Sequence, residues 1–467
     1  MTHETDEWFS VTMLGARAGW MHVTREWAPP AAGTQRTERA EMRLRVNSPE
    51  RGTASVAVTS EVTIGPRGFV AGRFEMVNEG QRVATAAERA PGGFAVSRVL
   101  NAATNDSFIP SSVDVVHAAV DGFMLKERGW LVAGATGSAV CFSLEAGMIE
   151  TQTIAVGPVT TFMLTGAAMQ VHTVTIISSA LGSRPVRTFV TGAGATLEQS
   201  MDVMTLSRCG EHEARAGDAA VSISSYVPID GTPPARTRRH LRLLLTQKRL
   251  DRPWRDIIRD TAYQTVSAGA TDAAAVIELH PVQAWSGVRC IMLRGDAGAA
   301  GCTGDMARYT LPSRFIESAA PAIAREARRA AGGASSDRER LERTVGHVDA
   351  MLRKSVGGTL FRSALETMRA GEGDCTEHAT LCVALLRAAG VPSRVMCGLL
   401  AMQSQLAYHA WGEACIGGVW VPFDATRGLV GLPAEYIALG ELDDPFESVA
   451  VLDQMLSLIG NITARYE

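Results

Sequence analysis

The sequence predicts an α+β protein in which helices pack on an antiparallel sheet in the C-terminal third, preceded by β-rich antiparallel domains. Two observations support this class. Residues 8–223 contain runs in which apolar and polar side chains alternate, separated by Gly or Pro, which is typical of antiparallel strands. From residue 312 onward the apolar side chains recur at helical spacing, with charged side chains on the opposite face.

The composition restricts the classes of function. The chain has 467 residues, 46% hydrophobic and 20% charged, so we expect a globular protein of two or three domains. A net charge of −4 provides no basic surface for nucleic acid, so we expect no nucleic-acid partner. No run of about eighteen apolar residues predicts a membrane span. The eight cysteines lack CxxC spacing, so neither a disulfide framework nor a structural zinc site is expected.

The N-terminal residues bear on localisation. The segment MTHETDEWFS has no basic stretch followed by an apolar run, so the sequence as written predicts a cytoplasmic protein. A protein whose export signal had been trimmed would instead be periplasmic or secreted.

Changes in pattern along the chain predict three domains. Residues 1–225 form the first, a single large curved sheet with one helix near Val113–Glu127. A stretch rich in Pro and Arg follows and is typical of a linker, and residues 240–311 form a small β module. Residues 312–467 form the third domain, which begins with three amphipathic helices predicted at Pro312–Ala331, Ser336–Lys354 and Gly358–Arg369.

A cysteine at a helix start is the first candidate for chemistry. Asp374 is a good N-cap and Glu377, three residues later, completes a capping box. Gly390 followed by Pro392 ends the helix. Cys375 is then the first helical residue, where free N–H groups and the positive end of the helix dipole favour a thiolate. The Cys375 N–H is also the expected first donor of an oxyanion hole.

A predicted hairpin supplies a base and a group that orients it. Gly417 and Gly418 form a two-residue turn, and counting outward from the turn places Trp411 opposite Asp424. His409 then lies two residues away on the same face as Asp424, within reach of its carboxylate. A carboxylate that accepts from one ring nitrogen fixes the tautomer and leaves the other nitrogen for a thiol.

Other residues near this site offer competing interpretations. His378 follows Cys375 on the same helix and points along its axis, so we assign it a supporting polar role. Cys375, His378 and Cys382 at helical spacing suggest a metal set, but no fourth ligand is evident, and we predict no metal or cofactor site. Trp411 is interpreted as a core residue, the alternative being the wall of an acyl pocket. No partner converges on His280 in the segment ELHPVQAW.

The C-terminal third closely resembles the transglutaminase-like superfamily over about Leu311–Glu467. The similarity is carried by FRSALETMRAGEGDCTEHATLCVALLRAAGVPSRV, YHAWGEACIGGVWVPFDAT and EYIALGELDDP. The resemblance implies a papain-like core with a catalytic triad. In that triad Cys375 is the nucleophile, His409 the general base and acid, and Asp424 the orienting residue.

Two hypotheses of different classes remain open. The leading one is an enzyme that attacks an amide bond of a peptide or protein substrate through Cys375 and forms a thioester. The acyl group then passes to water, as in a peptidase or amidase, or to an amine, as in protein cross-linking. Hydrolysis is favoured for bacterial relatives of this kind. The alternative is a non-catalytic binding or scaffold protein that retains the core as structure.

Overall fold

The protein is described by a computed structural model and is mostly β, with strands in 56% and helices in 19% of the described residues. The described residues exclude 1–3, 14, 28–34, 49–51, 79–80, 101–102, 116–119, 146, 180–184, 202–203, 217–219, 223–225, 233–239, 249–252, 284–301, 303–305, 314, 356–361, 443–457 and 459–460. The chain forms two compact units, residues 1–223 and 224–467.

The first unit is one large sheet in which the strand order along the sheet is β8-β7-β6-β5-β4-β3-β2-β1-β14-β13-β12-β11-β10-β9, with β15 paired to β3. Its strands are β1 (Glu4–Met13), β2 (Ala16–Trp27), β3 (Arg36–Ser48), β4 (Gly52–Gly65), β5 (Gly68–Asn78), β6 (Gln81–Ala90), β7 (Gly93–Leu100), β8 (Ala103–Pro110), β9 (Thr136–Ser143), β10 (Met148–Leu164), β11 (Ala167–Ser178), β12 (Pro185–Thr191), β13 (Thr196–Met201), β14 (Met204–Cys209) and β15 (Val221–Ser222). Two short helices accompany them, α1 (Gly122–Glu127) and α2 (Glu211–Arg215).

This sheet curls so that distant strands share one core. The Phe69 ring on β5 stacks on the Phe142 ring on β9, with centroids 4.9 Å apart, and Phe94 on β7 lies 5.2 Å from the same ring. All three side chains are buried. Because side chains alternate between the two faces of a strand, only one face contributes to this interior. The prediction of a single large curved sheet is confirmed. Of the predicted helix near Val113–Glu127, only Gly122–Glu127 is helical among the described residues.

The second unit has a mixed sheet in the order β18-β19-β17-β28-β16-β24-β25-β26-β20, and β23 joins β24 to β27. Its strands are β16 (Tyr226–Asp230), β17 (Leu241–Gln247), β18 (Gln264–Ala268), β19 (Ala274–Leu279), β20 (Val282–Gln283), β21 (Arg353–Lys354), β22 (Glu372–Gly373), β23 (Ser393–Met402), β24 (Gln405–Ile416), β25 (Val419–Asp424), β26 (Leu429–Leu432), β27 (Tyr436–Glu441) and β28 (Ile462–Tyr466). Its helices are α3 (Trp254–Ile257), a 3-10 turn (Met306–Tyr309), α4 (Pro321–Ala331), α5 (Asp337–Met351), α6 (Ala364–Ala370) and α7 (Cys375–Ala388).

Helix α7 occupies the centre of the second unit. It packs against α4, α5 and α6 and against β23 and β24. Its side chains from Ala379 to Leu386 are almost fully excluded from solvent, which holds the helix rigidly in place. A second apolar cluster is built from β16, β17, β19 and β28 together with residues of β23, β24 and β27. The tight packing around α7 therefore fixes the position of its N-terminal end.

The predicted α+β class is wrong, since the described residues contain only seven α-helices beside two large sheets. The first unit is sheet almost throughout. In the second unit, β17, β19 and β28 extend the sheet that also holds β24, and the longer helices α4, α5, α6 and α7 all lie between residues 321 and 388. Strands from before and after residue 312 thus belong to the same sheet, although the sequence pattern predicts a domain boundary there. The division into three domains stays a prediction.

The three predicted helices of the C-terminal third form with altered bounds. The first begins at Pro321, nine positions after Pro312, where proline suits the first helical turn. The second is capped by Ser336 and ends at Met351. The third begins at Ala364 behind a Ser363 capping box, and residues 358–361 of the predicted helix lie outside the described residues.

One disulfide joins Cys302 to Cys415 on β24. The two cysteines are 113 residues apart in the sequence, so their spacing did not indicate a pair. The cysteines described as free are Cys141, Cys209, Cys375, Cys382 and Cys397. None of the described helices combines the length and the apolar character that crossing a bilayer requires.

Candidate active site

The capping of α7 places a thiol at the helix tip. The Asp374 carboxylate accepts from the N–H of Thr376 at 2.8 Å, and the Glu377 carboxylate accepts from the N–H of Asp374 at 2.8 Å. The predicted capping box is therefore confirmed, with Cys375 as the first helical residue. Glu377 is buried, and burial together with the charge of Asp374 raises its pKa to about 8. This cap fixes the position of the half-buried Cys375 side chain.

The β24–β25 hairpin brings His409 and Asp424 together. Gly412 pairs with Phe423, so the next position outward sets Trp411 opposite Asp424, as predicted from the turn. His409 lies on the same face, two residues from Trp411. Its Nε2 atom is 2.6 Å from Oδ2 of Asp424. The predicted register is confirmed, and the diagonal pair is close enough for a direct hydrogen bond.

A glycine allows a further strand to approach this pair. Gly398 on β23 pairs with His409 on one side and with β27 on the other. A Cβ atom at Gly398 would lie only 1.8 Å from the carbonyl oxygen of Ile437 and 3.0 Å from the Trp411 ring. Any side chain here would push β27 away. The close approach of β27 is what carries Tyr436 to the site.

The Asp424 carboxylate is fully buried and held by several donors. The Tyr436 hydroxyl donates to Oδ2 at 2.7 Å, and the N–H of Thr426 donates to Oδ1 at 2.9 Å. Arg427 donates to the Tyr436 oxygen at 2.8 Å. Burial alone would raise the Asp424 pKa, but the hydrogen bonds from His409 and Tyr436 lower it below its usual value. Asp424 is therefore a fixed anion beside the imidazole.

The electrostatics favour the charged form of His409. Burial alone would lower its pKa, but hydrogen bonds with Asp424 and with the Cys375 side chain outweigh burial and raise the pKa to about 10. Because Nε2 is bound to Asp424, Nδ1 is the nitrogen left for the thiol. An imidazolium between a carboxylate and a sulfur is the state that stabilises a thiolate, which is the reactive form of cysteine.

His378 has a different environment from His409. Its Nδ1 atom donates to the carbonyl oxygen of Asp374 in its own helix, at 2.7 Å. The side chain is buried and burial lowers its pKa, which disfavours the imidazolium. These contacts agree with a supporting polar role.

The other two residues weighed near the site belong to the core. Cys382 lies in the apolar core, where burial raises its pKa, and Trp411 is a fully buried core residue.

Sequence reasoning missed Tyr436 and Arg427 as neighbours of the candidate triad. Tyr436 belongs to the quoted segment EYIALGELDDP, but its position depends on the pairing of β27 with β23. Those strands are separated by the whole β24–β26 segment, so no local pattern indicates their register. Arg427 follows the predicted hairpin directly. Its hydrogen-bond partner is Tyr436, so its role could not be predicted before the position of Tyr436 was known.

Tyr436→Phe is expected to slow alkylation of Cys375 by iodoacetamide about tenfold, because a hydrogen bond to the buried carboxylate that holds His409 is lost. The same bond lowers the Asp424 pKa, so its loss should move the acid side of the pH–rate profile to higher pH. Tyr466→Phe is the matched control, since that hydroxyl donates to the carbonyl of Gln403 away from the site. Identical profiles for wild type and Tyr436→Phe would show that Tyr436 does not act through Asp424.

Comparison with known proteins is consistent with this geometry. Residues 326–425 match the model of the transglutaminase-like superfamily, and no curated protein matches the chain. A proposed cysteine protease from Cytophaga hutchinsonii is 17% identical with a TM-score of 0.30, covering 47% of this chain and 78% of that one. A β-barrel-like protein with a domain of unknown function from Brucella abortus is 16% identical with a TM-score of 0.34, covering 44% and 95%.

A proposed protease from Parabacteroides distasonis is 10% identical with a TM-score of 0.21, covering 78% of this chain and 68% of that one. These three similarities are too distant to carry an argument about activity. The family match, by contrast, spans α7 and the β24–β25 hairpin, the elements that hold Cys375, His409 and Asp424. The C-terminal region of this chain thus carries a core of the transglutaminase-like superfamily.

Proposed function

We propose that this protein is a cysteine-dependent acyl-transfer enzyme that acts on amide bonds of peptides or proteins. In this proposal Cys375 is the nucleophile, His409 the general acid and base, and Asp424 the residue that orients His409. In this proposal the three side chains form one hydrogen-bonded series. The observation that carries it is the 2.6 Å hydrogen bond between the His409 ring and the buried Asp424 carboxylate, together with the Cys375 side chain, which raises the pKa of the same ring.

The first half of the reaction forms a thioester. The Cys375 thiolate attacks the carbonyl carbon of the amide and gives a tetrahedral intermediate. The Cys375 N–H is suited to stabilise the oxyanion, since Asp374 already accepts from the N–H groups of Thr376 and His378. The His409 imidazolium donates its proton to the leaving nitrogen. The amine then departs and leaves a neutral imidazole beside the acyl-enzyme.

The second half releases the acyl group. Neutral His409 removes a proton from a water molecule, which attacks the thioester carbonyl. Collapse of the second tetrahedral intermediate expels the thiolate, and the product is a carboxylic acid. A primary amine in place of water gives a new amide by the same steps. We favour water, so the expected activity is that of a peptidase or amidase.

The Cys302–Cys415 disulfide supports a periplasmic or secreted location, the alternative to the cytoplasm. Pairs such as Cys302–Cys415 persist in oxidising compartments and are rare where glutathione keeps thiols reduced. We therefore propose a periplasmic or secreted location in preference to the cytoplasm. The proposed nucleophile Cys375 is free in the same structure, as the mechanism requires.

Mass spectrometry of the acyl-enzyme tests the proposed function. The full chain is incubated with a library of casein-derived peptides, quenched in acid and digested. The peptide that contains Cys375 should gain the mass of an acyl group, and hydroxylamine should remove it, as expected for a thioester. The peptide that contains Cys209, a partly exposed free cysteine, serves as the internal control. An unmodified Cys375 together with uncleaved library peptides would favour the scaffold hypothesis.

A further inference from the structure

Two histidines and a carboxylate meet on the second unit's sheet, on strands other than those of the triad. The ligand atoms of His240, Glu278 and His280 all lie within 4.8 Å of one another. Leu241 on β17 pairs with Leu279 on β19, so the next pair outward sets His240 directly opposite His280. Within the described part of the chain, no other group of three His, Cys, Asp or Glu side chains comes this close.

The register of the two strands puts all three side chains on one face. The rings of His240 and His280 stack with centroids 5.0 Å apart. Glu278 lies two residues before His280 and therefore points to the same side of the sheet. Its Oε2 atom is 3.9 Å from Nε2 of His240, and its Oε1 atom accepts from Arg242 at 3.0 Å. One carboxylate oxygen is thus anchored while the other faces the histidine pair.

We propose that His240, Glu278 and His280 bind a divalent transition-metal ion, with zinc as the best fit. Two imidazole nitrogens and one carboxylate oxygen are a donor set that zinc accepts, with water in the remaining position. Metal–ligand bonds of about 2.0–2.2 Å require these atoms to move closer together than they are now. Small side-chain rotations would achieve this, because the side chains of His240 and Glu278 are 45% and 33% exposed to solvent.

The neighbouring Arg242 is compatible with a bound cation. Its guanidinium also donates to the Glu467 carboxylate, at 2.9 Å, so its charge is balanced by a second anion. A carboxylate that is held by a neighbouring side chain is an oriented ligand, and such support strengthens metal sites. Arg242 is therefore assigned to orient Glu278 instead of competing with the ion.

The site is separate from the candidate triad. Two strands, β28 and β16, lie between β17 and β24, which carries His409. Three steps of strand spacing correspond to about 14 Å. An ion at this site would join the start of β17 to the end of β19 without touching Cys375. Its effect would be to stabilise the sheet, because an ion that binds only the folded chain shifts the folding equilibrium towards it.

Zinc titration by calorimetry tests the proposal in a Cys375→Ala background, which removes the half-buried Cys375 thiol as a competing ligand. After treatment with a chelator, the chain should bind one zinc ion. His240→Ala, His280→Ala and E278Q should each weaken binding by about tenfold or more. His22→Ala is the matched control and should leave binding unchanged. His22 pairs with Asp6 at 2.7 Å on a strand surface, and among the described residues no third ligand completes a group with them.

Cobalt substitution provides a second readout. Bound Co²⁺ should show visible ligand-field bands without thiolate-to-cobalt charge transfer, since the proposed ligands are nitrogen and oxygen only. Either of two results would overturn the proposal: no zinc binding by the folded protein, or binding that survives all three substitutions. A charge-transfer band would overturn it as well, because it would assign the ion to cysteine.

Discussion

Cys375→Ala should reduce hydrolysis of an amide substrate by about 10⁴-fold or more, to the rate of the uncatalysed reaction plus binding effects. The loss is large because the sulfur is the atom that forms the covalent intermediate. The measurement is the steady-state rate with a fluorogenic peptide selected from the cleaved library sequences.

Cys209→Ala is the control for this substitution. Cys209 lies at the end of β14 in the first unit and is half-buried, so its removal should leave hydrolysis unchanged. Circular dichroism of Cys375→Ala should match that of the wild type, because the side chain is half-buried and makes no core-filling contact comparable to that of Cys382. Undiminished hydrolysis by folded Cys375→Ala would rule out Cys375 as the nucleophile.

His409→Ala should reduce hydrolysis by about 10²–10⁴-fold, the usual contribution of a positioned acid–base group. The variant loses both the imidazolium that stabilises the thiolate and the proton that the leaving amine requires. The variant His378→Asn distinguishes the role of His378 from that of His409. His378 bonds to its own helix, so this variant should keep the pH–rate profile of the wild type even if its stability falls.

The expected pH dependence of hydrolysis follows from the raised pKa of His409. Because Asp424 and Cys375 raise the His409 pKa to about 10, His409 keeps its proton through the neutral range. Wild-type hydrolysis should therefore decline on the alkaline side only as the pH rises towards 10, where the general acid is lost. A decline near the ordinary histidine pKa of about 6.5 would contradict the proposed hydrogen-bonded series.

Two local features of the candidate site were predictable from the sequence. The capping box set Cys375 at the start of α7, and a two-residue turn at Gly417 and Gly418 set the register that joins His409 to Asp424. Both features depend only on residues within one helix turn or one hairpin. Short-range geometry of this kind is encoded directly in the spacing of residues.

Features that depend on distant segments were not predictable in this way. Tyr436 reaches Asp424 through the pairing of β27 with β23, and Cys302 meets Cys415 across 113 residues. The C-terminal strand Ile462–Tyr466 inserts between β16 and β17, which extends the sheet of the second unit. The same long-range pairing makes the fold mostly β where the local patterns predicted α+β. The local sequence did not identify His240 as the partner of His280, because the two residues meet only through the register of β17 and β19.

The rate of Cys375 alkylation tests the central claim most directly. The rate of modification by iodoacetamide at neutral pH is followed by mass spectrometry of the Cys375 peptide, with the Cys209 peptide as reference, in the wild type and in His409→Ala. If His409 and Asp424 activate Cys375, its rate in the wild type should exceed that of Cys209 by about tenfold or more, and His409→Ala should remove the difference. Equal rates for the two cysteines in the wild type, or a difference that persists in His409→Ala, would contradict the account.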